Sequence, residues 1–126
     1  MPWRRSHEWM RYAPNWLLLA GAMYPLLWLN AFGLFVLRAR LILGRWPSPY
    51  NPDPKDLGMD LHYHGLLLGG VLLVTCGIGT FLAALVARWR SKRVPWLLIV
   101  LAAATPVLTI LLTRWDPGRF MEWFMD

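Results

Sequence analysis

The chain has 126 residues, enough for one domain, a formal charge of +6 and a single cysteine. Apolar residues make up 57% and charged residues 16%, against about 45–50% and about 25% in soluble domains, so an ordinary water-soluble globule is excluded. The positive charge does not point to nucleic acid, because the basic residues flank long apolar runs, where membrane proteins keep them.

Residues 1–15 form a basic and aromatic lead-in. Trp3, Trp9 and Tyr12 suit the headgroup layer, and a short interfacial helix is expected there, with Pro14 near the first turn of helix 1. Helix 1 is expected over 16–37, a stretch without a charge. At 1.5 Å per residue it spans roughly 33 Å, enough to cross a hydrocarbon core of about 30 Å. The run is too long for the core of a signal peptide and no A-x-A site comes after it, so a retained membrane helix is expected. Pro25 should kink it by freeing the Gly21 carbonyl. Arg38 and Arg40 mark its exit from the membrane, and Gly44 is a natural residue for ending the helix.

The next segment is proline-rich, with prolines at 47, 49, 52 and 54. It predicts a stiff extended loop without helix or central strand. Trp46, Pro47, Pro52, Asp53 and Pro54 are expected to dock on a partner. Asp60 is the expected N-cap of helix 2, predicted over 61–87. Along it Gly65, Gly69, Cys76, Thr80, Ala84 and Ala87 recur at spacings of three, four and seven. Small residues let helix backbones approach closely in lipid, so this face predicts packing against another helix. Residues 88–93 predict a tight loop and a helical hairpin with helix 3, over 94–113, where Pro106 should bend the helix and Thr105 and Thr109 should bond the freed carbonyls. In the tail, Asp116 and Pro117 can start a short helix whose Phe120, Trp123 and Phe124 share a face. That face reads as an interfacial foot or a docking surface. The fold class is therefore all-α, a single integral membrane domain of three transmembrane helices. Seven basic residues flank the N-terminal side (Arg4, Arg5, Arg11, Arg88, Arg90, Lys92, Arg93) and six the other (Arg38, Arg40, Arg45, Lys55, Arg114, Arg119). The dense 88–93 loop favours a cytoplasmic N-terminus and a periplasmic C-terminus in a bacterial inner membrane.

Few residues offer chemistry. His62 and His64 are the candidates for contact with a pigment or haem, or for a carboxylate–histidine cluster with Asp53, Asp56 and Asp60. On a regular helix two residues two apart point about 200° apart, so the histidines cannot share one ion, and interfacial hydrogen bonding is the simpler use of both. Trp28, alone among nine tryptophans, lies deep in a predicted span, where it is expected to meet a neighbouring subunit, a lipid or a carotenoid-like ligand. Asn30 is expected to bond across to another helix. No Asp, Glu, Lys or Arg lies within 16–37, 65–87 or 94–113, which argues against a proton relay or ion path through this chain alone. No nucleophile elbow, phosphate loop or H-E-x-x-H motif is present, so no catalysis and no required cofactor are expected.

The segment L-G-R-W-P-S-P-Y-N-P-D-P-K-D-L-G at 43–58 resembles one in small uncharacterised bacterial membrane proteins, in which an LGxWP…PDPK stretch comes after the first transmembrane helix. The resemblance implies a bacterial source and no particular activity. The functional expectation is a non-catalytic accessory subunit of a larger membrane complex, respiratory or photosynthetic, with lipids and other membrane subunits as partners. The alternatives are a pigment- or haem-contacting subunit and a small homo-oligomeric transporter or channel protomer. An enzyme acting on lipid is the weakest option.

Overall fold

The computed structural model describes residues 6–49, 52–91 and 93–126, with no side chain described before Asn15 or at position 91. Its elements are α1 (Ser6–Leu43), a 3-10 turn (Pro54–Leu57), α2 (Asp60–Ser91), α3 (Trp96–Trp115) and α4 (Phe120–Met125). Among the described residues three helices are long and apolar enough to cross a membrane, Asn15–Leu43, Asp60–Arg90 and Trp96–Trp115. The chain is an all-α, multi-pass membrane protein.

The ends of these elements reflect local chemistry, not always as the sequence suggests. The lead-in is no separate helix: its backbone from Ser6 continues into α1, placing Pro14 inside the helix. The expected headgroup anchors Trp3, Trp9 and Tyr12, with Arg4, Arg5 and Lys92, lie outside the described residues or side chains. Gly44 ends α1 as expected, at φ 68°, with its N–H donating to the Arg40 carbonyl at 2.9 Å. Only a residue without Cβ takes that conformation at little cost.

The proline-rich segment is not wholly extended. Pro54 occupies the first position of the 3-10 turn, where its missing N–H costs nothing, and the Asp53 carboxylate accepts from the Lys55 N–H at 2.9 Å. Gly58, at φ 68°, ends the turn. Asp60 is not the N-cap of α2 but its first residue, because the Tyr63 N–H already donates to the Met59 carbonyl at 2.9 Å. Its carboxylate still lies at the positive end of the helix dipole. At the other end α2 runs on through Arg88–Arg90 to Ser91, shortening the expected loop. The Arg88 guanidinium donates to the Val94 carbonyl at 2.9 Å and lies over the Trp96 ring at 4.8 Å. Pro95 (φ −67°, ψ 145°) precedes α3 rather than joining it.

The three long helices meet most closely at one level. A Cβ added at Gly21 of α1 would lie 2.3 Å from Thr80 Oγ1 of α2. The Thr105 hydroxyl of α3 donates to the Ala22 carbonyl of α1 at 2.5 Å, shared with the Leu101 carbonyl of its own helix at 2.9 Å. A Cβ at Gly77 would meet the Pro106 ring at 3.5 Å. On one side of this level Leu18, Ala84, Val94, Leu98 and Ile99 form an apolar cluster. On the other, a larger aromatic cluster joins Trp28, Phe32, Phe35, Tyr63, Trp123 and Phe124.

Candidate functional site

The aromatic cluster holds most of the residues singled out in the sequence. Trp28 is buried, and its ring is stacked on Phe32 at 5.7 Å between centroids. Its indole N–H donates to the Leu66 carbonyl of α2 at 2.9 Å. A deep tryptophan needs such an acceptor in lipid, and α2 supplies it. Trp28 is thus packed in the chain's own core against α2. The Tyr24 hydroxyl makes the equivalent bond to the Gly69 carbonyl at 2.7 Å. A Cβ at Gly69 would lie 3.0 Å from Trp28 and 3.2 Å from the Tyr24 hydroxyl. The glycine is what lets α1 approach and use these carbonyls.

Much of the small-residue face is therefore spent inside the molecule. Gly69 faces Trp28, Thr80 faces Gly21, and Ala84 is fully buried beside Leu18. All three are met by α1 of the same chain. Gly65 and Cys76 do remain open: a Cβ at Gly65 would meet nothing within 4 Å, and Cys76 is exposed. Exposed beside Cys76 are Thr75, Gly79 and Ala83, a one-face, four-residue repeat that the chain leaves uncovered. The Thr75 hydroxyl bonds back to the Leu72 carbonyl at 3.0 Å, so this face presents no unmet polar group there.

The tail and the loop dock on each other. Trp123 and Phe124 are buried. Trp123 packs on Phe35 at 5.8 Å, and its indole N–H donates to the Pro52 carbonyl at 2.7 Å. Pro47 and Pro54 are buried. Phe120 lies 5.5 Å from the Trp46 ring, which is covered on one face by the Arg40 guanidinium at 4.1 Å. Asp116 closes the turn by accepting from the Met121 N–H. Of the expected docking surface, Trp123, Pro47 and Pro54 are thus buried in an internal seam, with Phe120 and Pro52 partly buried and Trp46 49% exposed at its edge; each Å² of ring removed from water at the wet end of the bundle contributes about 25 cal/mol. Asp53 stays exposed, engaged by Lys55 at 3.9 Å.

The histidines differ. His62 is half-buried against Phe35. An Arg38 N–H points at its Nδ1 at 3.3 Å, and its Nε2 lies 3.1 Å from the Ala31 carbonyl. Arginine only donates and a carbonyl only accepts, so the ring is the neutral tautomer with the proton on Nε2. Both nitrogens are then engaged within the chain. His64 is exposed, and its Nδ1 donates to the Asp60 carbonyl at 2.8 Å. Its Nε2 has no partner among the described residues. Among the described residues, His, Cys, Asp and Glu do not gather into a group able to hold a metal ion, so the carboxylate–histidine cluster is not assembled.

Two polar expectations are also corrected. Asn30 does not cross to another helix but donates to the Leu26 carbonyl of its own at 2.9 Å. Thr105 bonds the Leu101 and Ala22 carbonyls, not the Ala102 carbonyl that Pro106 leaves free. The sequence alone did not point to the use made of Arg38 and Tyr24. One signal for the first was available: the end of helix 1 and the start of helix 2 lie at the same membrane surface, so Arg38 and His62 share a depth. No protein-family model, curated protein or solved structure matches the chain.

Proposed function

We propose that the protein is a non-catalytic accessory subunit of a larger bacterial membrane complex. The observation that carries this reading is the uncovered face of α2 with Thr75, Cys76, Gly79 and Ala83. Lipid tails are met equally well by Leu, Ile or Val, so nothing in a lipid contact calls for a row of small side chains. A second helix gains van der Waals contact from such a row. α2 is the span with the least of its apolar stretch buried, 17% against 28% for each of the others, so it has the most room for a partner. Respiratory and photosynthetic assemblies are the proposed hosts, by type. The same absence of charge within the spans that speaks against a proton path favours a supporting role over transport.

Extraction of the tagged full chain in a mild detergent tests this. The expected result is stoichiometric co-purification of further membrane subunits, lost in Gly79→Leu, whose added side chain has free space in the isolated fold. A stable monomer from the native membrane overturns the proposal. A second reading, contact with a pigment or haem, rests on exposed His64, whose ring is oriented by its Nδ1 bond to a backbone carbonyl as metal-ligating histidines are. A visible absorption band in the purified protein that disappears in His64→Leu would support it, and a colourless preparation would remove it.

A further inference from the structure

On the side of the bundle that carries the first loop, α1 and α2 enclose an apolar groove of about 460 Å³, lined among others by Leu27, Trp28, Ala31, Leu61 and Gly65. It opens outward: Leu27 is 62% and Leu61 91% exposed. His62 also lines it, and Arg38 lies 3.3 Å from His62. Among the described residues no carboxylate pairs with Arg38; its one described polar contact is that neutral imidazole nitrogen. Arg40 is engaged by the Trp46 ring and Lys55 by Asp53. Asp60, two residues before His62, projects about 200° away around α2.

We infer that this groove holds one acyl chain of an anionic phospholipid whose phosphate is bound by Arg38. The groove lies within two membrane spans and opens where lipid is the surrounding solvent. Gly65, with open space at its Cβ position, gives a hydrocarbon chain access to bare backbone. At the polar end a guanidinium with unused N–H groups meets the headgroup layer, where a phosphate can accept two of them side by side. A basic residue at the mouth of an apolar groove between transmembrane helices matches an acidic lipid in both halves, whereas a zwitterionic lipid brings the same phosphate with its charge offset by the headgroup ammonium, which the guanidinium repels.

The purified full chain in a neutral detergent is titrated separately with phosphatidylglycerol and phosphatidylcholine, and bound lipid is counted by native mass spectrometry. Phosphatidylglycerol is expected to bind more tightly. Arg38→Gln should lower its affinity about fivefold, the effect of one basic residue at an anionic surface, to the level of phosphatidylcholine, and Arg38→Lys should retain most of the preference. Gly65→Leu, whose added Cβ meets open space, puts its side chain into the groove and should weaken both lipids. A preference that survives Arg38→Gln, or lipid binding unchanged in Gly65→Leu, overturns the inference. So does displacement of the lipid by inorganic phosphate, which would show an anion site without a groove. The single purified chain is used throughout, so failure here is independent of the subunit proposal.

Discussion

Gly21→Ala tests how α1 and α2 meet. In water-exposed helices this change stabilises by up to about 1 kcal/mol through helix propensity. Here the new methyl would lie 2.3 Å from Thr80 Oγ1, 2.9 Å from its Cγ2 and 3.2 Å from its Cβ. Rotating Thr80 clears the first two atoms only by moving one into the place of another, and the third does not move at all. Overpacking of this kind costs about 1–3 kcal/mol, so after the propensity gain a net loss of about 0–2 kcal/mol is expected. The discriminating quantity is therefore a coupling energy. Thr80→Ala removes the two nearest atoms and leaves a Cβ that needs to give by a few tenths of an ångström. The double variant should recover about 1–2 kcal/mol relative to the sum of the singles, within the range of residues in contact. Reversible unfolding in mixed micelles, followed by far-ultraviolet circular dichroism over a titration with denaturing detergent, measures all four corners. Additivity within about 0.3 kcal/mol, as for residues far apart, would refute the close approach and return Thr80 to the surface that another subunit covers.

Trp123→Ala should lower stability by about 3–5 kcal/mol, as for large aromatic truncations in cores, whereas Trp123→Phe keeps most of the packing and loses the bond to Pro52. Limited proteolysis of the 52–59 segment reports both, and equal resistance in all three chains would show that tail and loop are not joined. Thr105→Val removes the hydroxyl that crosses to the Ala22 carbonyl while keeping the shape; interhelical bonds in membranes average about 0.6 kcal/mol and reach about 1.7. A loss in that range is expected in the same detergent titration, and no loss would mean that the hydroxyl serves only its own helix.

The three spans were legible because a charge-free stretch long enough to cross a bilayer has few other uses. Gly44 was legible as a helix end for an equally local reason. What the sequence could not reveal was which partner each face meets. Gly69, Thr80 and Ala84 signal a close helix neighbour whether that neighbour is α1 of the same chain or a helix of another, since the van der Waals contact is the same. Trp123 and Pro52 are joined by a bond across 71 positions, and an aromatic amphipathic tail has the same spacing whether it lies on lipid or under a loop. The boundaries shifted where exposed residues decided them: Arg88–Arg90 carry no turn signal and simply prolong α2. His62 was ambiguous because its occupancy depends on Arg38 and Ala31, both supplied by a different helix.

The level at which Gly21, Thr80, Ala22 and Thr105 meet divides the interior, and the clusters on either side share no residue. Damage to one end therefore has no direct path to the other except through the helix axes. Loosening of the aromatic end, where the loop and tail are stitched together, would leave the Leu18–Ala84 end gripping its neighbours, and loosening of that smaller end would leave the aromatic one intact.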